Sequence, residues 1–225
     1  MENNINCLAR FNMIKPYTVI IANGEYPTHH YPLSCIENAN EVICLDGALK
    51  TCIKHNINPY AVVGDGDSIS EQLKEEYAHI FHIFSDQETN DLTKAVSFCE
   101  KKGLKNIKIV AATGKREDHT LGNISLLLEY MNVVDVEMIT DYGVFVPADN
   151  TTEFKSAVGQ QVSIFSLDKR PVSSQNLKYP LNESVLDNLW KGSLNESLGE
   201  TFTLHTEGKI IVYRTFEVKE AHSSK

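Results

Sequence analysis

Val62-Val63-Gly64-Asp65-Gly66-Asp67-Ser68 is an apolar run that stops at two carboxylates set among glycines. A short β-branched run closed by Gly and Asp reads as a buried strand delivering its polar residues to a loop. Folding alone does not require two acids there, because like charges repel and each loses solvation when partly buried. A divalent cation would offset that cost. Carboxylate oxygens are the ligands of a hard ion such as Mg²⁺, which in such sites commonly bridges to substrate phosphates.

The same arrangement recurs on both sides of this stretch. Tyr17–Ala22 ends at Asn23-Gly24, Glu41–Leu45 at Asp46-Gly47, Ile80–Phe84 at Ser85-Asp86 and Asn106–Ala112 at Thr113-Gly114, with Val133–Thr140 as a sixth run. Helical periodicity lies between the runs. Leu92, Ala95, Val96 and Cys99 share one face of Asp91–Lys102, and Leu121, Ile124 and Leu128 share one face before Met131. Alternation of this kind predicts an α/β fold, a mostly parallel Rossmann-like sheet with flanking helices. Ligands of such sheets bind outside the carboxyl ends of the strands, so the five loops should converge on one edge. Any one of them is equally a turn or a helix cap. Asp65 and Asp67 on one loop, with Asp46 and Asp86 on its neighbours, exceed what capping needs.

Beyond Tyr142 the texture changes. Short alternating segments around Phe145, Thr151–Phe154, Val162–Phe165, Val172–Leu177, Thr201–Leu204 and Ile210–Phe216 are separated by turn residues such as Gly159-Gln160, Asp168-Lys169-Arg170-Pro171 and Glu207-Gly208. These predict a small C-terminal antiparallel β-sandwich or barrel. The domains expected are 1–143, α/β, and 144–225, β-sandwich, with residues 1–15 a loosely held tail.

Bulk properties narrow the function classes. The 225 residues are 42% hydrophobic and 23% charged, which excludes disordered and fibrous chains. A net charge of −9 argues against a nucleic-acid partner, and an anionic substrate would need local cations or metal. The five cysteines form no C-x-x-C and read as reduced core residues of a cytoplasmic protein. No signal-peptide core and no run of membrane-spanning length is present, so no membrane association is expected.

Two further segments carry chemistry. In Asp86-Gln87-Glu88-Thr89-Asn90-Asp91-Leu92-Thr93-Lys94, Asp91 opens a helix and Lys94 lies along the same face. The pair reads either as a helix-start acid with its lysine or as a third metal carboxylate beside a phosphate-neutralising cation. In Thr113-Gly114-Lys115-Arg116-Glu117-Asp118-His119, Arg116 could fork onto a phosphate, and Asp118 could be the plain N-terminal acid of the next helix. Neither a Walker A loop nor G-x-G-x-x-G occurs. A bound nucleotide would have to be held by carboxylate-bound metal and scattered basic residues.

The ordered set Gly64-Asp65-Gly66-Asp67-Ser68, Asp86-Gln87-x-x-Asn90-Asp91-x-x-Lys94 and Gly114-x-Arg116-x-Asp118-His119 with Asn123 resembles the thiamine pyrophosphokinase family. The likeness continues through Leu177-Lys178-Tyr179-Pro180-Leu181 and Gly192-Ser193-Leu194-Asn195-Glu196. The resemblance implies transfer of the β,γ-diphosphate of ATP to the hydroxyethyl oxygen of thiamine, giving thiamine diphosphate and AMP. It implies a homodimer with active sites between subunits. By resemblance, Asp65, Asp67 and Asp91 hold Mg²⁺, Asp46 and Asp118 line the same cleft as catalytic acids, and either is a candidate proton acceptor. Asn23, Gly24, Lys94, Arg116 and Asn123 lie on the ATP side, and Gln87, Tyr179, Ser193 and Asn195 face thiamine. Two positions depart from the family's pattern. Leu194 stands where many relatives carry Ser, and the single tryptophan, Trp190, lies just outside the motifs.

Two other readings compete. Asp65-Gly66-Asp67-Ser68-Ile69 approximates the D-x-D-x-[TV] signature of Mg²⁺-dependent phosphatases working through an aspartyl-phosphate, but it follows the third strand rather than the first. A non-catalytic nucleotide- or thiamine-binding module would keep the fold without needing three metal-type acids.

Overall fold

Six short strands build the first sheet: β1 (Thr18–Ile21), β2 (Glu41–Leu45), β3 (Ala61–Gly64), β4 (Phe81–Ile83), β5 (Asn106–Val110) and β6 (Asp135–Ile139). All their pairings are parallel, in the order β6-β5-β1-β2-β3-β4. β1 and β3 are buried along their whole length. Burial on both faces is why these strands read as unbroken apolar runs rather than alternating ones. This computed structural model describes residues 15–84 and 88–218. The chain divides into two compact units, with Lys15–Asp141 forming one and Tyr142–Lys225 belonging to the other.

The chain steps outward from β1 to β4 and then returns to place β5 on the other side of β1. The sheet therefore has a switch point between β1 and β5, where ligands of open α/β sheets bind. The connecting helices are α1 (His30–Glu37), α2 (Leu49–Lys54), α3 (Glu71–Glu76), α4 (Asp91–Lys101) and α5 (Glu117–Tyr130). α4 is closed at both ends. The Asn90 side chain accepts from the Thr93 amide at 2.8 Å, and Gly103, at φ 75°, ends the helix with Gly103 N–H on Glu100 O and Leu104 N–H on Cys99 O. Its expected stripe of Leu92, Ala95, Val96 and Cys99 is buried.

α5 departs from expectation. Leu127 and Tyr130 are its buried residues, whereas Leu121 is 62% exposed. Its inward line runs Asn123, Leu127, Tyr130. Asn123 donates to Ala112 O at 2.9 Å, and the Tyr130 hydroxyl meets Thr93 Oγ1 at 2.7 Å. Apolar periodicity picked the wrong phase because a polar residue occupies the inward position nearest the strand ends.

The second unit is antiparallel: β7 (Gly143–Lys155), β8 (Gln160–Ser166), β9 (Pro171–Gln175), β10 (Ser184–Val185), β11 (Asn195–Glu196) and β12 (Thr201–Val218). β12 pairs with β7 along both halves; its first half also pairs with β9 and its second with β8. β10 adds to β9 and β11 to β8. Phe154, Ile164, Phe202, Leu204 and Val212 are among the buried core. The segments expected around Phe145 and Thr151–Phe154 are one strand, and Glu207-Gly208 is not a turn between two. There β12 continues through a register shift between His205 and Lys209. The Asp168 carboxylate closes this bulge by accepting from Lys209 N at 3.0 Å and Ser166 Oγ at 3.0 Å, and a Cβ at Gly208 would lie 2.2 Å from Asp168 Oδ2.

Among the described residues Cys35, Cys44, Cys52 and Cys99 are free and buried, and Cys7 lies outside the described residues. No helix among the described residues is long and apolar enough to cross a membrane.

Candidate active site

The carboxyl edge of the parallel sheet opens into a cleft of about 480 Å³. Asn23 and Gly24 reach it from the end of β1, Asp65 and Ser68 from the end of β3, and Thr89 to Leu92 with Lys94 from the start of α4. Thr113, Lys115 and Arg116 reach it after β5, and His119, Thr120 and Asn123 from the first turns of α5.

The loops flanking the switch point are laced together. Gly24 N–H donates to Ala111 O at 2.5 Å and Glu25 N–H to Thr113 O at 2.8 Å. A Cβ at Gly24 would sit 2.3 Å from the same Ala111 oxygen, so only glycine allows the approach. Ala111 itself has φ 54°, left-handed backbone that costs an L-residue about 1–2 kcal/mol. Strain of this sort concentrates where a binding edge is being shaped.

Asp46 lies beneath the acidic loop rather than on the cleft wall. It is 1% exposed, with Oδ1 accepting from Gly47 N at 2.5 Å and Oδ2 from Gly66 N at 2.9 Å. A Cβ at Gly64 would come within 2.4 Å of the Asp46 carboxyl carbon. The glycines around Asp65 therefore do more than turn the chain: Gly64 leaves room for a buried carboxylate and Gly66, at φ 87°, points its amide at it. Burial raises the Asp46 pKa, the charges of Asp91 and Asp65 raise it further, and the two amides oppose them.

Asp65 is half-buried and lines the cleft, accepting from the Asp67 amide at 3.0 Å. Asp67 is exposed and is not among the lining residues. Asp91 lines the cleft with Lys94, whose Nζ is 3.0 Å from Asp91 Oδ1 and whose side chain is only 4% exposed. Arg116 forks onto Asp118, Nε to Oδ1 at 3.0 Å and a terminal nitrogen to Oδ2 at 2.5 Å. That hydrogen-bonded guanidinium, with the His119 amide, holds the Asp118 carboxyl at about 2. Asp118 is not among the lining residues either.

The cleft thus gathers Asn23, Gly24, Asp65, Asp91, Lys94, Arg116 and Asn123 from segments far apart in sequence, and leaves Asp46, Asp67 and Asp118 off its wall. Gln87 and Asp86 lie outside the described residues. Among the described residues, no three His, Cys, Asp or Glu side chains stand close enough to hold a metal ion. The donor chemistry nonetheless suits a hard cation: Asp65 and Asp91 face one cleft and both press electrostatically on Asp46. Ser68, Thr89, Lys115, His119 and Thr120 also line the cleft without a role expected from sequence. Ser68 and His119 stand inside the quoted motifs, while Thr89, Lys115 and Thr120 are marked in the sequence only by lying one residue from a motif residue on the same segment.

In the second unit Tyr179 is 60% exposed, while Asn195 is buried and used up on backbone. Asn195 Oδ1 accepts from Tyr179 N at 3.1 Å and Glu196 N at 2.9 Å, and its Nδ2 donates to Tyr179 O at 2.7 Å. The amide thereby imitates a strand pairing beside the Leu177–Ser197 bridge. Ser193 Oγ donates to Trp190 O at 2.6 Å. Leu194 is 72% exposed at φ 61°.

The family model described as thiamin pyrophosphokinase, catalytic domain, matches residues 33–139, and the one described as thiamin pyrophosphokinase, substrate-binding domain, matches residues 143–213. A thiamine pyrophosphokinase of Bacillus subtilis is 31% identical over 150 residues, 62% of this chain and 70% of the relative. Thiamine pyrophosphokinase 1 of Oryza sativa is 34% identical over 156 residues, 58% of either chain. Thiamin pyrophosphokinase 1 of Caenorhabditis elegans is 27% identical over 161 residues, 64% of this chain and 66% of the relative. The chain thus spans about two thirds or less of the nematode and rice proteins. The fold is shared with the crystal structures of the thiamine pyrophosphokinase from Bacillus subtilis (TM-score 0.73, 23% identity, 90% of this chain and 100% of that one) and of the one from Candida albicans (TM-score 0.74, 19% identity, 90% of each). With both domain models met in order and 70% of the Bacillus subtilis protein spanned at 31% identity, the chain belongs to the thiamine pyrophosphokinase family.

Proposed function

We propose that the protein transfers the β,γ-diphosphate of ATP to the hydroxyethyl oxygen of thiamine, releasing AMP. One observation carries the reading: Asp65, Asp91 with Lys94, and Arg116 with Asn123, from three separate segments, line a single cleft at the switch point of a parallel sheet. The alcohol oxygen bonds to the β-phosphorus as the bond from that phosphorus to the AMP oxygen breaks. The hydroxyl proton leaves late, so the protein's task is mainly positioning and charge stabilisation.

Asp65 and Asp91, with Asp67 on the same loop, would hold Mg²⁺. Bound there, it would neutralise charge developing on the phosphate oxygens. Lys94 and Arg116, each already paired with a carboxylate, flank the phosphates, and Asn23, Gly24 and Asn123 shape the nucleotide side. Asp46 holds the acidic loop in place through the Gly66 amide, and Asp118 orients Arg116. Asp118, held at about 2, is a poor proton acceptor, and Asp46 is enclosed, so neither is assigned as a strong base.

On the same reading, residues 1–143 form the catalytic domain and 144–225 a β-sandwich that contributes Tyr179 and Ser193 to thiamine, with Gln87 supplied by the first. The enzyme works in the cytoplasm as a homodimer with sites between subunits. Incubation with ATP, Mg²⁺ and thiamine should yield AMP and thiamine diphosphate in equal amounts. ADP or free phosphate as main product would overturn the reading, a phosphoryl group trapped on Asp65 would favour the phosphatase, and binding without AMP release would favour a binding module.

A further inference from the structure

The cleft is poor in uncommitted positive charge. The chain carries −9 overall, and Asp65 and Asp91 on the wall, with Asp46 beneath, add negative charge locally. A polyphosphate entering it must meet a cation whose charge is not already balanced. Among the described residues three cations line the cleft. Lys94 sits 3.0 Å from the Asp91 carboxylate, and Arg116 is forked onto Asp118. Lys115 differs from both. Its Nζ donates to the backbone oxygen of Asn23 at 3.0 Å and to Asn23 Oδ1 at 3.3 Å, and both oxygens are uncharged.

We infer that Lys115 is the polyphosphate handle of this cleft, the cation that first engages the phosphate oxygens of the nucleotide. The inference deepens the diphosphate-transfer reading and rests on it for the identity of the nucleotide. Position supports the charge argument. Asn23 lies in the loop after β1 and Lys115 in the loop after β5, so the ammonium bridges the two loops that flank the switch point. The backbone just before it is fixed: Gly114 has φ 91°, and a Cβ there would lie 2.6 Å from Glu25 Cβ. Lys115 is thus held in place by neutral oxygens that stabilise its geometry without neutralising it. Such preorganisation lets an ammonium with three donors exchange one partner for a phosphate oxygen at little ordering cost.

The test separates charge from shape. Inorganic tripolyphosphate is titrated calorimetrically into the wild-type protein, Lys115→Gln and Lys115→Arg. Glutamine keeps N–H donors for the Asn23 oxygens but has no charge; arginine keeps the charge. Affinity should fall about tenfold or more in Lys115→Gln and stay within about threefold in Lys115→Arg, as loss of a charged hydrogen bond implies. In turnover, KM for ATP should rise about ten- to hundredfold in Lys115→Gln with the thiamine KM nearly unchanged. Absence of tripolyphosphate binding in the wild type, undiminished binding by Lys115→Gln, an equal loss in Lys115→Arg, or a parallel rise of both KM values would each overturn the assignment. The calorimetric arm needs no catalysis. Wild-type protein that binds tripolyphosphate through Lys115 yet releases no AMP would remove the diphosphate-transfer reading and leave the handle standing.

Discussion

The two units hold their candidate site residues in opposite ways. In Lys15–Asp141 every strand runs the same direction, so each strand end arrives at one edge and the backbone itself assembles the cleft. The side chains there are held by glycines and amides, as Asp46 is by Gly64 and Gly66. In Tyr142–Lys225 neighbouring strands run oppositely, and no edge collects consecutive loops. Presentation there depends on single side chains that stand in for missing ladder bonds, with Asn195 fastening Tyr179 as the clearest case. Parallel topology makes a site cheap to build from loops, whereas antiparallel topology must fix each loop separately.

Four tests probe that contrast, beginning with the largest effect. Asp65→Asn should lower kcat by about a thousandfold, because it removes a charge placed by topology at the cleft. Its unfolding midpoint in urea should hold or rise, since like-charge pressure on Asp46 is relieved. Asp67→Asn, outside the lining residues, should lose less; a loss equal to that of Asp65→Asn would break the distinction between wall and loop.

Asn195→Ala should cost about 1–3 kcal/mol of stability, because it strips partners from the Tyr179 backbone. It should also raise the thiamine KM while sparing that of ATP. If Asn195 acts by holding Tyr179, adding Asn195→Ala to Tyr179→Ala should change the thiamine KM no further. Multiplying effects would mean that Asn195 touches the substrate itself.

A smaller gain is expected from Leu194→Gly. Glycine removes the left-handed penalty at φ 61° and restores some chain entropy to the unfolded state, a net stabilisation of about 0.5–1 kcal/mol by denaturant titration. A raised thiamine KM alongside that gain would show that the leucine side chain is kept for binding.

The smallest effect concerns pH. Asp118 is held at about 2 by Arg116. A depressed folded-state pKa means that the pair's contribution is present above the ordinary carboxylate range, near about pH 4, and is lost as pH falls through about 2. Arg116→Gln should move the Asp118 midpoint, followed by carboxyl NMR, up toward about 4. An unmoved midpoint would mean that the fork does not persist in solution.

Much of this was legible in the residues. The six apolar runs are the six parallel strands to within two residues at either end, most plainly at β1 and β3, where a strand buried on both faces has nothing to be but apolar. Leu92, Ala95, Val96 and Cys99 found their helix face for the same reason. α5 misled because Asn123 holds an inward position for the cleft's sake, so the true face of Asn123, Leu127 and Tyr130 looks broken in a hydropathy reading. β10 and β11 were invisible because two residues carry no period. Lys115 was in view throughout, but nothing about a lysine in a turn says whether an acid will neutralise it.

Composition and spacing by themselves determined which strand ends would be polar and that those ends would share an edge. These are local properties, set by which residues can be buried and which must cap or turn. Tertiary structure alone decided the sorting among the acids of the carboxyl edge: Asp46 went beneath the loop, Asp65 and Asp91 onto the wall, and Asp67 into solvent. Carboxylates are interchangeable in a sequence pattern. They become different groups only when amides, like charges and burial act on each through space, and for Asp46 the Gly66 amide and the Asp65 and Asp91 charges come from segments that the chain order keeps apart.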